Sequence, residues 1–209
     1  MKIVLENKGI KTDTYYIPPF TLYEGEIIVL YLYNGKHLYD AEIFLRNIFC
    51  GKIKHENVTL HRKMTFAEDL KRSYLRDTFF PLTTVKSYLR RNANAKSPLS
   101  QKIFEDKWKW IAPETRLEKI PGTPKKLLTL YAALSKTKDI VFDLGALDDE
   151  GYEYSFKAIE AIVKQDNGSA ILLHCFDNME EYASNIITLE WNAGHPPEGN
   201  EFQYNFKIK

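Results

Sequence analysis

Two short runs of consecutive apolar residues constrain the fold of this chain more than any other feature. Residues 27–30 read Ile-Ile-Val-Leu and residues 171–173 read Ile-Leu-Leu. Strands that are buried on both faces of a parallel sheet have this pattern, whereas a half-exposed strand alternates apolar and polar residues. Strand and helix signals alternate from residue 139 to residue 190, and this order predicts an α/β fold.

The remaining patterns complete the predicted element order. Strands are expected at residues 2–6, 26–32, 139–143, 169–175, 186–190 and 201–208. Asp40 is expected to cap a helix, further helices are expected around residues 127–134 and 156–163, and a capping box is expected at Asp177 and Glu180. Residues 84–119 are charged, contain Trp108 and Trp110 and lack a strand pattern. We therefore predict one domain over residues 1–209, with a helical insert at about 84–119 and a small antiparallel portion from the N-terminal strands.

Charge and cysteine content exclude several classes of function. The chain has 29 Lys plus Arg against 28 Asp plus Glu, so no general attraction to nucleic acid is expected. Cys50 and Cys175 lack metal or redox spacing and are interpreted as reduced thiols of a cytosolic protein. No apolar run approaches the roughly 18 residues of a membrane span, so any role at a membrane is expected to involve a partner.

Several short segments occur in a fixed order along the chain. Asn34-Gly35 lies between the first apolar strand and a helix, and Gly122 precedes the next strong helix signal. An apolar strand ends at Asp143, Leu147-Asp148 follows it, and the next strand ends near His174. In this order the segments resemble the motifs of ATP-binding-cassette (ABC) ATPases. The resemblance covers nearly the whole chain and implies a P-loop NTPase-like core sheet with a helical subdomain.

The resemblance assigns a nucleotide-site position to each of these residues. They are Tyr16 (adenine stacking), Asn34 and Gly35 (phosphate loop), Leu38 and Tyr39 (the lysine and hydroxyl positions of that loop), Asp77 (the Q-loop glutamine), Gly122 (signature), Asp143 (the magnesium-side aspartate), Leu144 (the catalytic glutamate), Asp148 (D-loop) and His174 (switch histidine).

Three substitutions remove the chemistry that these positions need. Leu38 cannot supply the lysine charge, and the phenol of Tyr39 is too long to replace a serine hydroxyl at a metal ion. Leu144 cannot polarise an attacking water. The sequence therefore predicts no catalytic residue, metal or cofactor, and ATP with Mg²⁺ is expected only if the chain is an ATPase with a remodelled site.

Each assigned residue also has an ordinary structural interpretation. Asp143 could hydrogen-bond a neighbouring loop, and Asp148 could begin the acidic first turn of a helix. His174 could be a core histidine, Gly122 could belong to a Pro-Gly turn, and Tyr16 could serve in packing.

The resemblance implies a subunit that works by contact with other proteins. We expect a non-catalytic, structural or regulatory ABC-type subunit, cytoplasmic and either free or peripheral at the inner face of the membrane. The implied partners are a second nucleotide-binding domain and a membrane permease, with Phe79, Phe80 and Leu82 as permease-docking candidates. An ATPase active only in a heterodimer and a soluble adaptor are the alternatives.

Overall fold

A computed structural model describes residues 2–33, 37–70, 84–175, 183 and 185–192. Its strands are β1 (Ile3–Asn7), β2 (Ile10–Lys11), β3 (Tyr15–Ile17), β4 (Phe20–Tyr23), β5 (Ile27–Tyr31), β6 (Val58–Leu60), β7 (Thr65–Phe66), β8 (Asp139–Asp143), β9 (Ser169–His174), β10 (Ile186–Thr188) and β11 (Glu190–Trp191). Its helices are α1 (Leu38–Phe49), α2 (Val85–Asn92), α3 (Lys102–Glu105), α4 (Gly122–Leu134) and α5 (Asp149–Gln165), with short 3-10 helices at Pro98–Ser100 and Leu117–Lys119.

A five-stranded sheet in the order β10-β5-β9-β8-β7 forms the centre of the molecule. Each neighbouring pair in it is parallel. Leu172 of β9, for example, lies between Val29 of β5 and Phe142 of β8. The predicted α/β fold is confirmed.

Two small sheets form the antiparallel portion. Their orders are β4-β1-β6 and β11-β3-β2, and the pairs within them are antiparallel. The N-terminal strands thus lie outside the central sheet except for β5, as the sequence predicts.

The central sheet has an apolar layer on each face. Ile140, Phe142 and Leu172 belong to the core that contains α4 and α5. Val141 and Ile171, their neighbours in sequence, belong to a second core with α1 and the N-terminal strands. Because consecutive side chains point to opposite faces, a strand between two layers must be apolar throughout.

The start of α1 differs from the prediction. We expected Asp40 to cap this helix, but the N-cap residue is His37 and Asp40 lies in the first turn. A carboxylate there still interacts favourably with the helix dipole, which explains why its position suggested a helix start. The expected strand at 201–208 and the capping box of Asp177 and Glu180 lie outside the described residues.

Hydrogen bonds order the start of the segment after residue 84 and join the segment to α4 and α5. Thr84 and Ser87 form a capping box at the start of α2, in which the Thr84 hydroxyl accepts from the Ser87 amide at 3.2 Å. The buried carboxylate of Asp106 accepts hydrogen bonds from the phenols of Tyr131 on α4 and Tyr154 on α5. A carboxylate with two donors of this kind is stable in an apolar surrounding.

Candidate functional site

The carboxyl edge of the parallel sheet collects many of the predicted site residues. Asp143 ends β8, His174 ends β9, and Leu144 follows Asp143 directly. Leu38 and Tyr39 begin α1, the helix that follows β5 in the chain. Parallel strands end at the same edge of their sheet, and ligands of open α/β sheets bind outside that edge. This edge is therefore the candidate site.

A lysine that the sequence analysis did not select lies at this edge. The ammonium of Lys126, on α4, is 2.7 Å from Asp143 Oδ1 and 2.7 Å from Asp69 Oδ1. Lys126 is only 6% exposed, whereas the side chains of Asp143 and Asp69 are 19% and 57% exposed. One buried cation thus joins α4, the end of β8 and the segment that follows β7.

A sequence signal for Lys126 existed. The lysine lies in a helix in which the next six residues, from Leu127 to Ala132, are all buried. A lysine inside so apolar a helix requires an anionic partner, because an unpaired buried ammonium is very costly. The sequence does not reveal which carboxylate supplies the partner.

Asp143 also shapes the turn after its strand. Its Oδ1 accepts a hydrogen bond from the Gly145 amide at 3.0 Å, in line with the ordinary structural interpretation of this residue. The following residue, Leu144, is only 2% exposed and packs in the core on the side of α4 and α5.

Further carboxylate charge reaches the same edge from α1. The pKa of Glu42 is raised by burial and by the negative charges of Asp143 and Asp69, while Arg46 and Lys126 lower it. Burial, followed by the charges of Glu42 and Asp143, raises the pKa of the Cys175 thiol to about 11. In both groups burial is the largest cause, and the nearby carboxylates add to it.

The side chain of His174 is buried and contacts α5. It is 5% exposed, and its Nδ1 lies 2.9 Å from the phenol oxygen of Tyr152 on α5. Burial is the larger cause of the raised pKa of Tyr152, and the charge of Cys175 raises this pKa further. This contact fits the interpretation of His174 as a core histidine.

The candidate signature and D-loop residues meet in an open cleft of about 450 Å³. A methyl group added at Gly122 would lie 3.6 Å from Leu147 Cδ2, so the two segments are in contact within one chain. Asp148 caps α5 and accepts from the Gly151 amide at 2.8 Å. Lys107 and Trp108 complete the wall of the cleft.

The tyrosine pair on β3 divides between core and surface. Tyr15 is buried and packs edge-on against Trp191, with ring centroids 5.8 Å apart. Tyr16 is half-buried, and its ring lies against Gly9. Tyr39, at the start of α1, is 70% exposed. Six predicted site or docking residues lie outside the described residues: Asn34, Gly35, Asp77, Phe79, Phe80 and Leu82.

Two general properties of the described residues bear on the site. No group of three or more His, Cys, Asp or Glu side chains among them is arranged to hold a metal ion. No described helix combines the length and the apolar character that crossing a bilayer requires.

The solved structures that this chain resembles include ABC proteins. An inward-facing ABC transporter described as of the metal-chelate type has 12% sequence identity and a TM-score of 0.68, over 91% of this chain and 83% of that one. A subunit of the CbiONQ ABC transporter complex of Clostridium perfringens has 14% identity and a TM-score of 0.62, over 91% and 86%. A nucleotide-free ATP-binding cassette of an ABC transporter has 14% identity and a TM-score of 0.63, over 90% and 88%.

Sequence comparison adds no closer relative. No protein-family model matches the chain, and no curated protein matches it. The structural likeness extends over nine-tenths of this chain in each of these three cases. The chain therefore has the fold of the ATP-binding domains of ABC transporters.

Proposed function

We propose that this chain is a non-catalytic ABC-type nucleotide-binding-domain subunit that acts as a structural or regulatory partner in a transporter-like complex. The fold supports the general class, because the three compared structures are described as ABC transporters or parts of them. The residues at the carboxyl edge of the sheet support the absence of catalysis.

Mg²⁺ and ATP do not fit the three described residues at the positions that would hold them. In the resembled family, a lysine and a hydroxyl at the start of the first helix hold the phosphates and the metal ion, whereas here Leu38 and the largely exposed Tyr39 stand there. Leu144, in the position of the catalytic glutamate, has its side chain in the core. None of these three side chains can neutralise phosphate or orient a water.

The ion pair of Lys126 with Asp143 is the observation that carries the proposal. The carboxylate that the resemblance assigns to magnesium already has a cationic partner at 2.7 Å. Glu42 and Asp69 add negative charge around it. A triphosphate entering this edge would approach like charges, which disfavours binding.

The cleft around Gly122 and Leu147 supports a partner that docks there. In the resembled family, the signature and D-loop face meets a second nucleotide-binding domain, so we propose that this cleft receives one. A membrane permease is the second proposed partner, and the chain would then lie at the inner face of the membrane. Phe79, Phe80 and Leu82 remain the candidates for that contact.

Calorimetry with Mg·ATP tests the absence of nucleotide chemistry. We expect no binding heat and no phosphate release above buffer, because the charge-assisted lysine contact alone is typically worth about 1.5–3 kcal/mol. Leu38→Lys alone should not restore either signal, since Leu144 and the carboxylates remain. Micromolar binding by the wild-type protein would overturn the proposal in favour of an ATPase with a remodelled site.

Affinity purification from detergent-solubilised membranes tests the partner. Recovery of a polytopic membrane protein is expected, and recovery of soluble proteins alone would favour the soluble adaptor. Leu147→Arg, in the cleft, should reduce recovery of a second nucleotide-binding domain. Ile53→Arg is the matched control, because Ile53 is also partly exposed, at 40%, but lies in a different part of the chain.

A further inference from the structure

The carboxylate pair at the sheet edge has its own cation. The ammonium of Lys126 lies 2.7 Å from one oxygen of Asp69 and 2.7 Å from one oxygen of Asp143. Lys126 is only 6% exposed. An ammonium removed from water to this extent requires charged hydrogen-bonding partners. Asp69 and Asp143 are these partners, and the ammonium nitrogen contacts both of them.

A divalent ion bound by Asp69 and Asp143 would need the oxygens that the ammonium contacts. Mg²⁺ is commonly held by one or two carboxylates together with several waters. Here both carboxylates face the ammonium, so a metal ion and the lysine would compete for the same oxygens. The contact with Asp69 bridges 57 residues of sequence, so the cation comes from a distant helix.

We infer that Lys126 is a built-in cation that takes the place of a divalent ion between Asp69 and Asp143, and that its removal opens a divalent-cation site. The inference rests on the proposed function, because a site that worked with Mg·ATP would need these oxygens for the metal. We further expect the thermal stability of the protein to be independent of divalent ions, because the Lys126 side chain already supplies the two carboxylates with a cation.

The structural role of Lys126 makes the inference testable without nucleotide. The lysine links α4, the end of β8 and the segment after β7. Loss of the ammonium leaves the carboxylates of Asp69 and Asp143 without the cation that both contact, which destabilises the fold. A divalent ion that binds the native state restores stability by mass action.

The experiment compares thermal unfolding of three proteins in EDTA, in MgCl₂ and in MnCl₂ at matched ionic strength. The Tm of the wild-type protein should be the same in EDTA, in MgCl₂ and in MnCl₂. Lys126→Met should unfold on the order of 5–10 °C lower in EDTA, and each divalent ion should raise its Tm by several degrees. Lys125→Met is the matched control, since Lys125 is the half-buried neighbour and makes no ion pair among the described residues; it should follow the wild type.

A double variant identifies the ligand. Lys126→Met combined with Asp143→Asn removes the charge of the central carboxylate, and its Tm should no longer respond to divalent ions. If Lys126→Met does not fold, broadening of NMR signals by Mn²⁺ in the wild type and in Lys126→Arg provides the second measurement. Neither protein should show selective broadening at residues near Asp143.

The possible outcomes separate the inference from the proposed function. A wild-type Tm that rises with Mn²⁺ as much as that of Lys126→Met, or selective Mn²⁺ broadening in the wild type, overturns the inference even if Mg·ATP gives no heat. An unchanged Tm of Lys126→Met, or no response of that variant to divalent ions, also overturns it. Heat from Mg·ATP would overturn the proposed function and the inference together, because Mg·ATP would need the oxygens that Lys126 contacts.

Discussion

The two cysteine thiols are both partly buried, but the charged residues around them have opposite signs. Burial raises the pKa of both Cys50 and Cys175 to about 11. At Cys175 the charges of Glu42 and Asp143 raise it further, whereas the charged groups around Cys50 are the cations Lys52 and Arg46, which lower it. Since only the thiolate reacts with alkylating agents, both cysteines should react slowly in the folded protein.

Glu42→Gln should accelerate alkylation of Cys175 and leave Cys50 unchanged. Removal of a nearby negative charge makes the thiolate less unfavourable, so the pKa of Cys175 falls and its thiolate fraction at a given pH increases. Iodoacetamide labelling followed by mass spectrometry, over a pH series from neutral to alkaline, measures both residues in one sample. Equal acceleration at both cysteines would indicate general loosening and would contradict the predicted charge effect.

The sequence predicts some residues of this edge and not others. Asp143, Leu144 and His174 could be placed there because each ends or directly follows an apolar strand. Lys126 and Asp69 could not be paired, since their contact joins a helix and a loop that are 57 residues apart. Local patterns report which side chains end a strand, whereas the packing of α4 decides which cation reaches them.

At the scale of an element, the start of α5 depends on a glycine. A methyl group at Gly151 would lie 2.2 Å from Thr123 Oγ1 and 2.7 Å from Asp148 Oδ1. The helix cap therefore packs directly against the first turn of α4. Asp148 was identifiable as the start of an acidic first turn, but the close approach of two helix starts was not visible in the sequence.

Gly151→Ala should destabilise the protein although alanine favours helices. The intrinsic gain of about 1 kcal/mol is opposed by overpacking of typically 1–3 kcal/mol and by loss of the Asp148 cap, about 1 kcal/mol. Urea unfolding should show a net loss of roughly 1–3 kcal/mol. In a Thr123→Ala background, which lacks the clashing oxygen, the same change should cost at least about 1 kcal/mol less. Equal losses in both backgrounds would show that Thr123 is not the obstacle.

At the scale of the whole molecule, the fold class could be predicted because two strands of the central sheet contain continuous apolar runs and because strand and helix signals alternate after residue 139. The strand order β10-β5-β9-β8-β7 could not, since nothing local states which strand is the neighbour of which. Only the two continuous apolar runs, now β5 and part of β9, indicated central strands. Both are indeed in the interior of the sheet, adjacent to each other.

Two adjacent leucines of β9 report whether both faces of that sheet are covered. Leu172 and Leu173 are adjacent in β9, 0% and 3% exposed, and belong to different cores. Leu172→Ala and Leu173→Ala should each lower the free energy of unfolding by about 2–5 kcal/mol, because each leaves a cavity in its own layer. On β6, where Thr59 is exposed, Thr59→Ala should stay within about 0.5 kcal/mol. Urea denaturation measures all three, and a loss below about 1 kcal/mol for either leucine would mean that one face of the sheet lacks the apolar layer that an ABC-like core requires.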